Sequence, residues 1–218
     1  MLTPTAHPRL AVLASGEGSN LQALIDAERE GRLGATIVLV VSDRPEARAL
    51  TRARSAGIEA VHLDPDAAAR GRVGPAFVAR LLEHLDARRV KLVALAGFMR
   101  ILSPPIVQAY RWRLLNIHPS LLPAFPGRDA IRQALEHGVK VSGCTVHFVD
   151  EGMDTGPIVL QEAVPVYDDD DEQTLKQRIQ AVEHRLYPRA VSLLAQGRLR
   201  VEGRRVRILP AAERSIPS

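Results

Sequence analysis

Short aliphatic runs alternating with amphipathic stretches of helical length constrain this chain more than any other feature. Residues 10–14, 36–41, 58–62, 92–96 and 114–118 read as strands. Residues 19–30, 45–56, 75–88 and 104–110 read as the helices between them. The run Thr36-Ile37-Val38-Leu39-Val40-Val41 has no polar alternation, as expected of a strand covered on both faces. Such βαβα order predicts an α/β fold: a mostly parallel, twisted sheet of Rossmann-like type with right-handed crossovers, flanked by helices. After residue 129 the pattern changes. A helix over 129–137 precedes strands 141–149 and 158–166, close enough to pair as an antiparallel hairpin. A long helix over 172–196 and two short strands, 199–201 and 204–208, close the chain. The expectation is one domain over 1–209, with a phosphate-binding lobe at about 9–110, a second lobe at 111–209 and a mobile tail at 210–218.

Composition removes several function classes. The single cysteine, Cys144, excludes an intrachain disulfide and fits a reducing compartment. No apolar stretch reaches the roughly 18 residues of a membrane span. Residues 1–8 lack a signal-peptide core, so a cytoplasmic protein is expected. The net charge of +4 comes from arginines spread along the chain, which points to anionic small molecules rather than nucleic acid.

Residues 115–123 read Leu-Asn-Ile-His-Pro-Ser-Leu-Leu-Pro. In a strand, Asn116 and His118 project from one face, and Pro119 ends the pairing there. Both groups therefore sit at the C-terminal edge of the strand, where open α/β sheets bind ligands. An oxyanion donor beside a proton carrier is the equipment of acyl transfer. The imidazole needs an orienting acid. Asp154, in the loop Gly152-Met153-Asp154-Thr155-Gly156-Pro157, is the first candidate, although Asp150 and Glu151 lie in the same loop. His147, flanked by Val146 and Phe148 in a strand, reads as packing or as support for the site. His118, His147 and Asp154 lack the spacing of a metal motif, so no metal is expected.

Four further features bear on function. Ser15-Gly16-Glu17-Gly18-Ser19-Asn20 joins the first strand to the first helix and suits a single phosphate. It lacks the third glycine of a dinucleotide loop and the lysine of a triphosphate loop. Its plainer reading is a tight turn with Ser19 as N-cap. Gly97 and the apolar residues after it could line a slot for a flat ring, or simply begin a helix. Glu183 borders the apolar stripe of the last helix and needs a partner or a role, whereas His184 is expected to face solvent. Asp43 reads as the cap of the second helix, and the acidic run 168–172 as capping and N-terminal charge for the last one.

Taken together these motifs resemble the phosphoribosylglycinamide formyltransferase family, within the wider 10-formyltetrahydrofolate-dependent formyltransferases. The resemblance rests on the Gly-Ser-Asn loop, Ala-Gly-Phe-Met-Arg-Ile-Leu at 96–102, the 115–123 segment, and Val-His-Phe-Val followed by an Asp before Gly-Pro. It covers about residues 9–205. It implies formyl transfer from 10-formyltetrahydrofolate, as co-substrate, to the amine of glycinamide ribonucleotide in purine biosynthesis, without metal, by a monomer or homodimer. By matching position it implies Asn116, His118 and Asp154 as the catalytic trio, with Asp154 raising the His118 pKa. Gly18, Ser19 and Asn20 are implied at the phosphate, and Glu183 at the ribose or glycinamide end. Met99, Arg100, Ile101, Leu102, Asn116, Asp150, Glu151, Gly152 and Met153 are implied at the folate. The family's histidines after the core motif have no counterpart in Gly127-Arg128-Asp129-Ala130-Ile131, and Arg72 is the nearest match to a folate-contacting arginine. Methionyl-tRNA formyltransferases and formyltetrahydrofolate hydrolases share the core motif. Those families carry an added C-terminal nucleic-acid-binding domain and a leading regulatory domain, for which this length leaves no room.

Overall fold

The computed structural model describes residues 7–65 and 71–211. The expected mobile tail thus falls largely outside the described residues. The strands are β1 (Arg9–Leu13), β2 (Thr36–Ser42), β3 (Ala60–His62), β4 (Leu92–Leu95), β5 (Leu114–His118), β6 (Val141–Phe148), β7 (Ile158–Pro165), β8 (Leu199–Glu202) and β9 (Arg205–Ile208). The helices are α1 (Ser19–Arg29), α2 (Arg48–Ser55), α3 (Pro75–Ala87), α4 (Pro104–Ala109), α5 (Ala130–Glu136) and α6 (Glu172–Ala195). All strands belong to one sheet of order β3-β2-β1-β4-β5-β6-β7-β9-β8. It is parallel from β3 through β5 and antiparallel from β5 through β7. The β8–β9 hairpin extends the same sheet through a parallel contact at Ile158 and Arg205.

The alternation inside β1 explains the two-sided core. Leu10 and Val12 enter one apolar cluster with Leu21, Leu24 and Leu50, and with Leu175, Ile179 and Val191 of α6. Ala11 and Leu13 enter a second cluster on the other face, with Phe77, Leu81 and Leu85 of α3 and Ile106 of α4. Each strand residue points opposite to its neighbour, so helices on both faces bury most positions of the central strands, including all of β4.

Two local expectations fail. The second helix starts at Arg48, not Pro45, and its N-cap position is Ala47 without a side-chain bond. Asp43 is therefore no helix cap. It is 4 % exposed at the end of β2 and accepts a hydrogen bond from Arg100 Nε at 2.9 Å. Ser19 is not an N-cap either: Gly18, in the left-handed region at φ 73°, holds that position. The acidic run does cap α6, where the Asp171 carboxylate accepts from Thr174 N at 2.8 Å in a capping box.

Candidate active site

Strand order reverses between the paired strands β1 and β4, and the site lies outside the C-terminal ends of the strands there. Ser15 knits two of the loops there. Its N–H donates to Gly97 O at 3.0 Å, and its Oγ accepts from Met99 N at 2.8 Å. From the opposite side Tyr187 of α6 donates its buried hydroxyl to Leu95 O at 2.8 Å and lies 3.2 Å from Leu115 O. This pins α6 beneath β4 and β5. Glu183, four residues earlier, shares that helix face and so reaches the site.

Asn116 and His118 lie on one face of β5, as their spacing requires, and the antiparallel neighbour β6 sets His147 directly opposite Asn116. His118 Nε2 lies 2.8 Å from Phe125 O, and only an N–H can bond a carbonyl, so that nitrogen carries a proton. Its Nδ1 faces Asp154 Oδ2 at 3.4 Å and is the nitrogen free to titrate. By the same argument His147 Nδ1 donates to Phe148 O at 2.8 Å, which leaves Nε2 to accept from Asn116 Nδ2 at 3.2 Å. His147 thus lies against the Nδ2 end of the Asn116 amide and orients it.

Asp154 reaches this cluster through a strained loop. Its own φ is 55°, and its Oδ2 accepts from Gly127 N at 2.8 Å. A Cβ on Gly156 would lie 1.8 Å from Phe148 O, so only glycine lets the loop fold back this closely. The other acids of the loop turn elsewhere. Asp150 Oδ1 accepts from Gly152 N and from Thr155 Oγ1, and Glu151 accepts from Gln108 at 3.0 Å. Asp154 alone meets the imidazole.

Asp154 raises the His118 pKa, as expected, but burial has the larger effect. Burial pushes the His118 pKa below its usual value, and the Asp154 carboxylate only partly offsets that. With His118 4 % exposed, desolvation outweighs the charge beside it. For Asp154, burial pushes upward, but the imidazoles of His147 and His118 and the Gly127 N–H outweigh it. The carboxyl ends below the usual range.

A cavity of about 930 Å³ joins these parts. Residues 15–20, 95–102, Asn116, His118, Gly127, Arg128, Asp150, Gly152, Met153, Asp154 and Glu183 all line it. Glu151 and Arg72 are not among its lining residues. Arg72 is exposed and pairs with Ile101, next to the lining residue Gly71. Met99 and Met153 are about half exposed at its wall. The Asn20 side chain is anchored on α6: Nδ2 donates to Glu183 Oε2 at 2.8 Å, and Oδ1 is buried without a partner. Burial raises the Glu183 pKa against that hydrogen bond. His184 is half-buried rather than solvent-facing, with Nε2 unpartnered and its pKa lowered by burial.

Sequence reasoning undervalued His147 and the support beneath residues 119–125. Thr145 Oγ1 donates to Ser120 O at 2.7 Å, and Gln161 Nε2 donates to Leu122 O at 2.7 Å. These bonds hold the segment that presents Phe125 O to His118. The signal was available in part, since a histidine opposite Asn116 follows once β5 and β6 are paired in register. Among the described residues no group of three or more His, Cys, Asp or Glu is arranged to hold a metal ion, and no helix is long and apolar enough to cross a membrane.

Residues 8–191 match the model of the family described as formyl transferase. This chain belongs to the formyl transferase family. Its fold superposes with a TM-score of 0.90 on glycinamide ribonucleotide transformylase 1 from Symbiobacterium toebii, at 54 % identity, covering 96 % of this chain and 98 % of that one. Phosphoribosylglycinamide formyltransferase of Bacillus subtilis is 44 % identical over 85 % of this chain and 94 % of its own length. The trifunctional purine biosynthetic protein adenosine-3 of Drosophila melanogaster is 54 % identical over 87 % of this chain, which spans 14 % of that protein's length.

Proposed function

We propose that this formyl transferase family member transfers the formyl group of 10-formyltetrahydrofolate to the amine of glycinamide ribonucleotide, in de novo purine biosynthesis and in the cytoplasm. The observation that carries the reading is the shared cavity, in which a phosphate-sized loop, an apolar slot and the Asn116–His118–Asp154 cluster converge. In this reading the ribotide phosphate lies on the N–H groups of Gly18, Ser19 and Asn20, with Glu183 towards its ribose and amine. The pterin lies between residues 99–102 and the loop 150–153.

Attack by the amine on the formyl carbon forms the new C–N bond and a tetrahedral oxyanion. One Asn116 N–H is held by His147. The other, in a long 3.4 Å contact with Asp154 Oδ1, is the one the oxyanion takes over. Loss of such a donor costs on the order of 10²–10³ in rate. As the bond from the formyl carbon to folate N10 breaks, N10 gains a proton and the attacking nitrogen loses one. His118 Nδ1 relays that proton, and Asp154 stabilises the imidazolium while it exists. Burial keeps the ring near neutral between turnovers, which suits a relay better than a fixed cation.

The test follows tetrahydrofolate release spectroscopically with purified protein and 10-formyltetrahydrofolate. Release that depends on glycinamide ribonucleotide is expected. Release at equal rate without the ribotide assigns a hydrolase instead.

A further inference from the structure

The phosphate loop is held from outside the cavity by a side chain that touches neither reacting group. Arg52, on the second turn of α2, uses every edge of its guanidinium. Nε donates to the Glu17 backbone carbonyl at 2.9 Å, Nη2 to the Glu17 carboxylate at 2.6 Å, and Nη1 to Gln22 Oε1 on α1 at 3.2 Å. Glu17 is the central residue of the loop, between Gly16 and Gly18. Two backbone features seat the loop on the start of α2 as well. Ala49 N donates to Gly16 O at 3.0 Å, and a Cβ on Gly18 would fall 2.9 Å from Ala49 Cα.

We propose that Arg52 is a positioning residue for the phosphate of the acceptor substrate. Its clamp on Glu17 holds the backbone N–H groups of residues 18–20 in the register that receives a dianion. The inference rests on the function proposed above for the loop. Three observations carry it. The loop needs an outside anchor, because its glycines leave the backbone free and Gly18 sits at positive φ. The Asn20 side chain is tied to Glu183 through Nδ2, which fixes the end of the loop to α6 and makes the register of its main-chain N–H groups depend on how residues 16–18 are held. A Glu17 carboxylate left unpaired would repel a phosphate, and Arg52 neutralises it while orienting the carbonyl. Arg48 also bonds Glu17 Oε1, at 3.0 Å, but its side chain is 68 % exposed and it makes no contact with the carbonyl. The geometry of the planar fork is what matters, since lysine offers one centre and cannot reach a carbonyl, a carboxylate and an amide together.

The experiment compares wild type with Arg52→Gln, Arg52→Lys, Arg48→Gln and Glu17→Gln in steady-state formyl transfer, varying each substrate in turn. Arg52→Gln and Arg52→Lys are expected to raise the KM for the ribotide roughly tenfold or more. The KM for the folate and kcat at saturating ribotide stay within about twofold, because uniform binding alone is lost. Arg48→Gln is expected to shift the ribotide KM less than about twofold. Glu17→Gln keeps the carbonyl clamp and stays well below the Arg52 effect. A ribotide KM unchanged in Arg52→Lys overturns the clamp, as does an equal loss in both substrates. If Arg52→Gln does not fold, Arg52→Lys decides alone. Protection of the fold by ribose 5-phosphate, read as a rise in Tm, reports on the loop without formyl transfer. Reduced protection in the Arg52 variants of a protein that transfers no formyl group would keep the clamp and refute the proposed reaction.

Discussion

Replacing Asp154 by asparagine removes the only carboxylate in contact with His118 among the described residues and leaves the loop's shape nearly intact. The Asp154 Oδ2 to His118 Nδ1 distance is 3.4 Å, where two unit charges at an effective dielectric of about 20 interact by at most about 5 kcal/mol. Asp154 also accepts from Gly127 and contacts Asn116 and His147, which divides its influence. An opposite charge at this range typically moves a pKa by about 1–3 units, or roughly 1.4–4 kcal/mol. Burial already depresses the His118 pKa, so Asp154→Asn takes away part of what opposes that and lowers it further. At neutral pH the imidazolium formed during transfer loses that stabilisation, and kcat/KM is expected to fall about 10- to 1,000-fold. The deficit narrows as pH falls, because the wild-type ring, with the higher pKa, protonates first and stops accepting a proton. Asp154 itself is depressed in the fold, so its stabilising contribution is complete above about pH 4 and is lost on further acidification. The variant should lack that loss. The assay is the pH profile of kcat/KM for both proteins, beside an NMR titration of His118. A deficit equal at every pH, with an unmoved His118 titration, would refute the reasoning.

Two other outcomes follow from packing. Gly156→Ala drives a methyl group into Phe148 O and should cost on the order of 3 kcal/mol or more in urea unfolding, with activity lost as Asp154 is displaced. A variant with wild-type stability would mean that the loop has a second, relaxed position. The Cys144 thiol is buried, and burial together with the charge of Glu183 pushes its pKa up to about 12. It should be inert to Ellman's reagent in the folded protein and react fully in guanidinium, and rapid native reaction would count against the buried thiol.

The parts that were legible before any coordinates share one property: they depend on chemistry within a few residues. Asn116 and His118 share a face because strand side chains repeat every two residues, and the βα loop at 15–20 must lie at a strand end because a helix follows it. The surroundings of Asp43, His147 and His184 escape a local reading for the opposite reason. Asp43 is bonded by Arg100, 57 positions away, and His147 meets Asn116 only through the antiparallel pairing of β5 and β6. The half-buried ring of His184 depends on how α6 lies against its neighbours, which a helical stripe read in isolation does not contain.

What the amino-acid sequence determined by itself is the kind of sheet, the placement of loops at its C-terminal edge, and the pairing of an amide with an imidazole there. These follow from backbone periodicity and turn chemistry, which are local. The tertiary structure decided which of three acids in the 150–154 loop reaches the imidazole, and that Asn20 serves Glu183 through its side chain. It also decided that burial outweighs Asp154 in setting the His118 pKa. Each of those outcomes is set by distances and solvent exclusion between segments far apart in the chain, and neither exists until the sheet has brought them together.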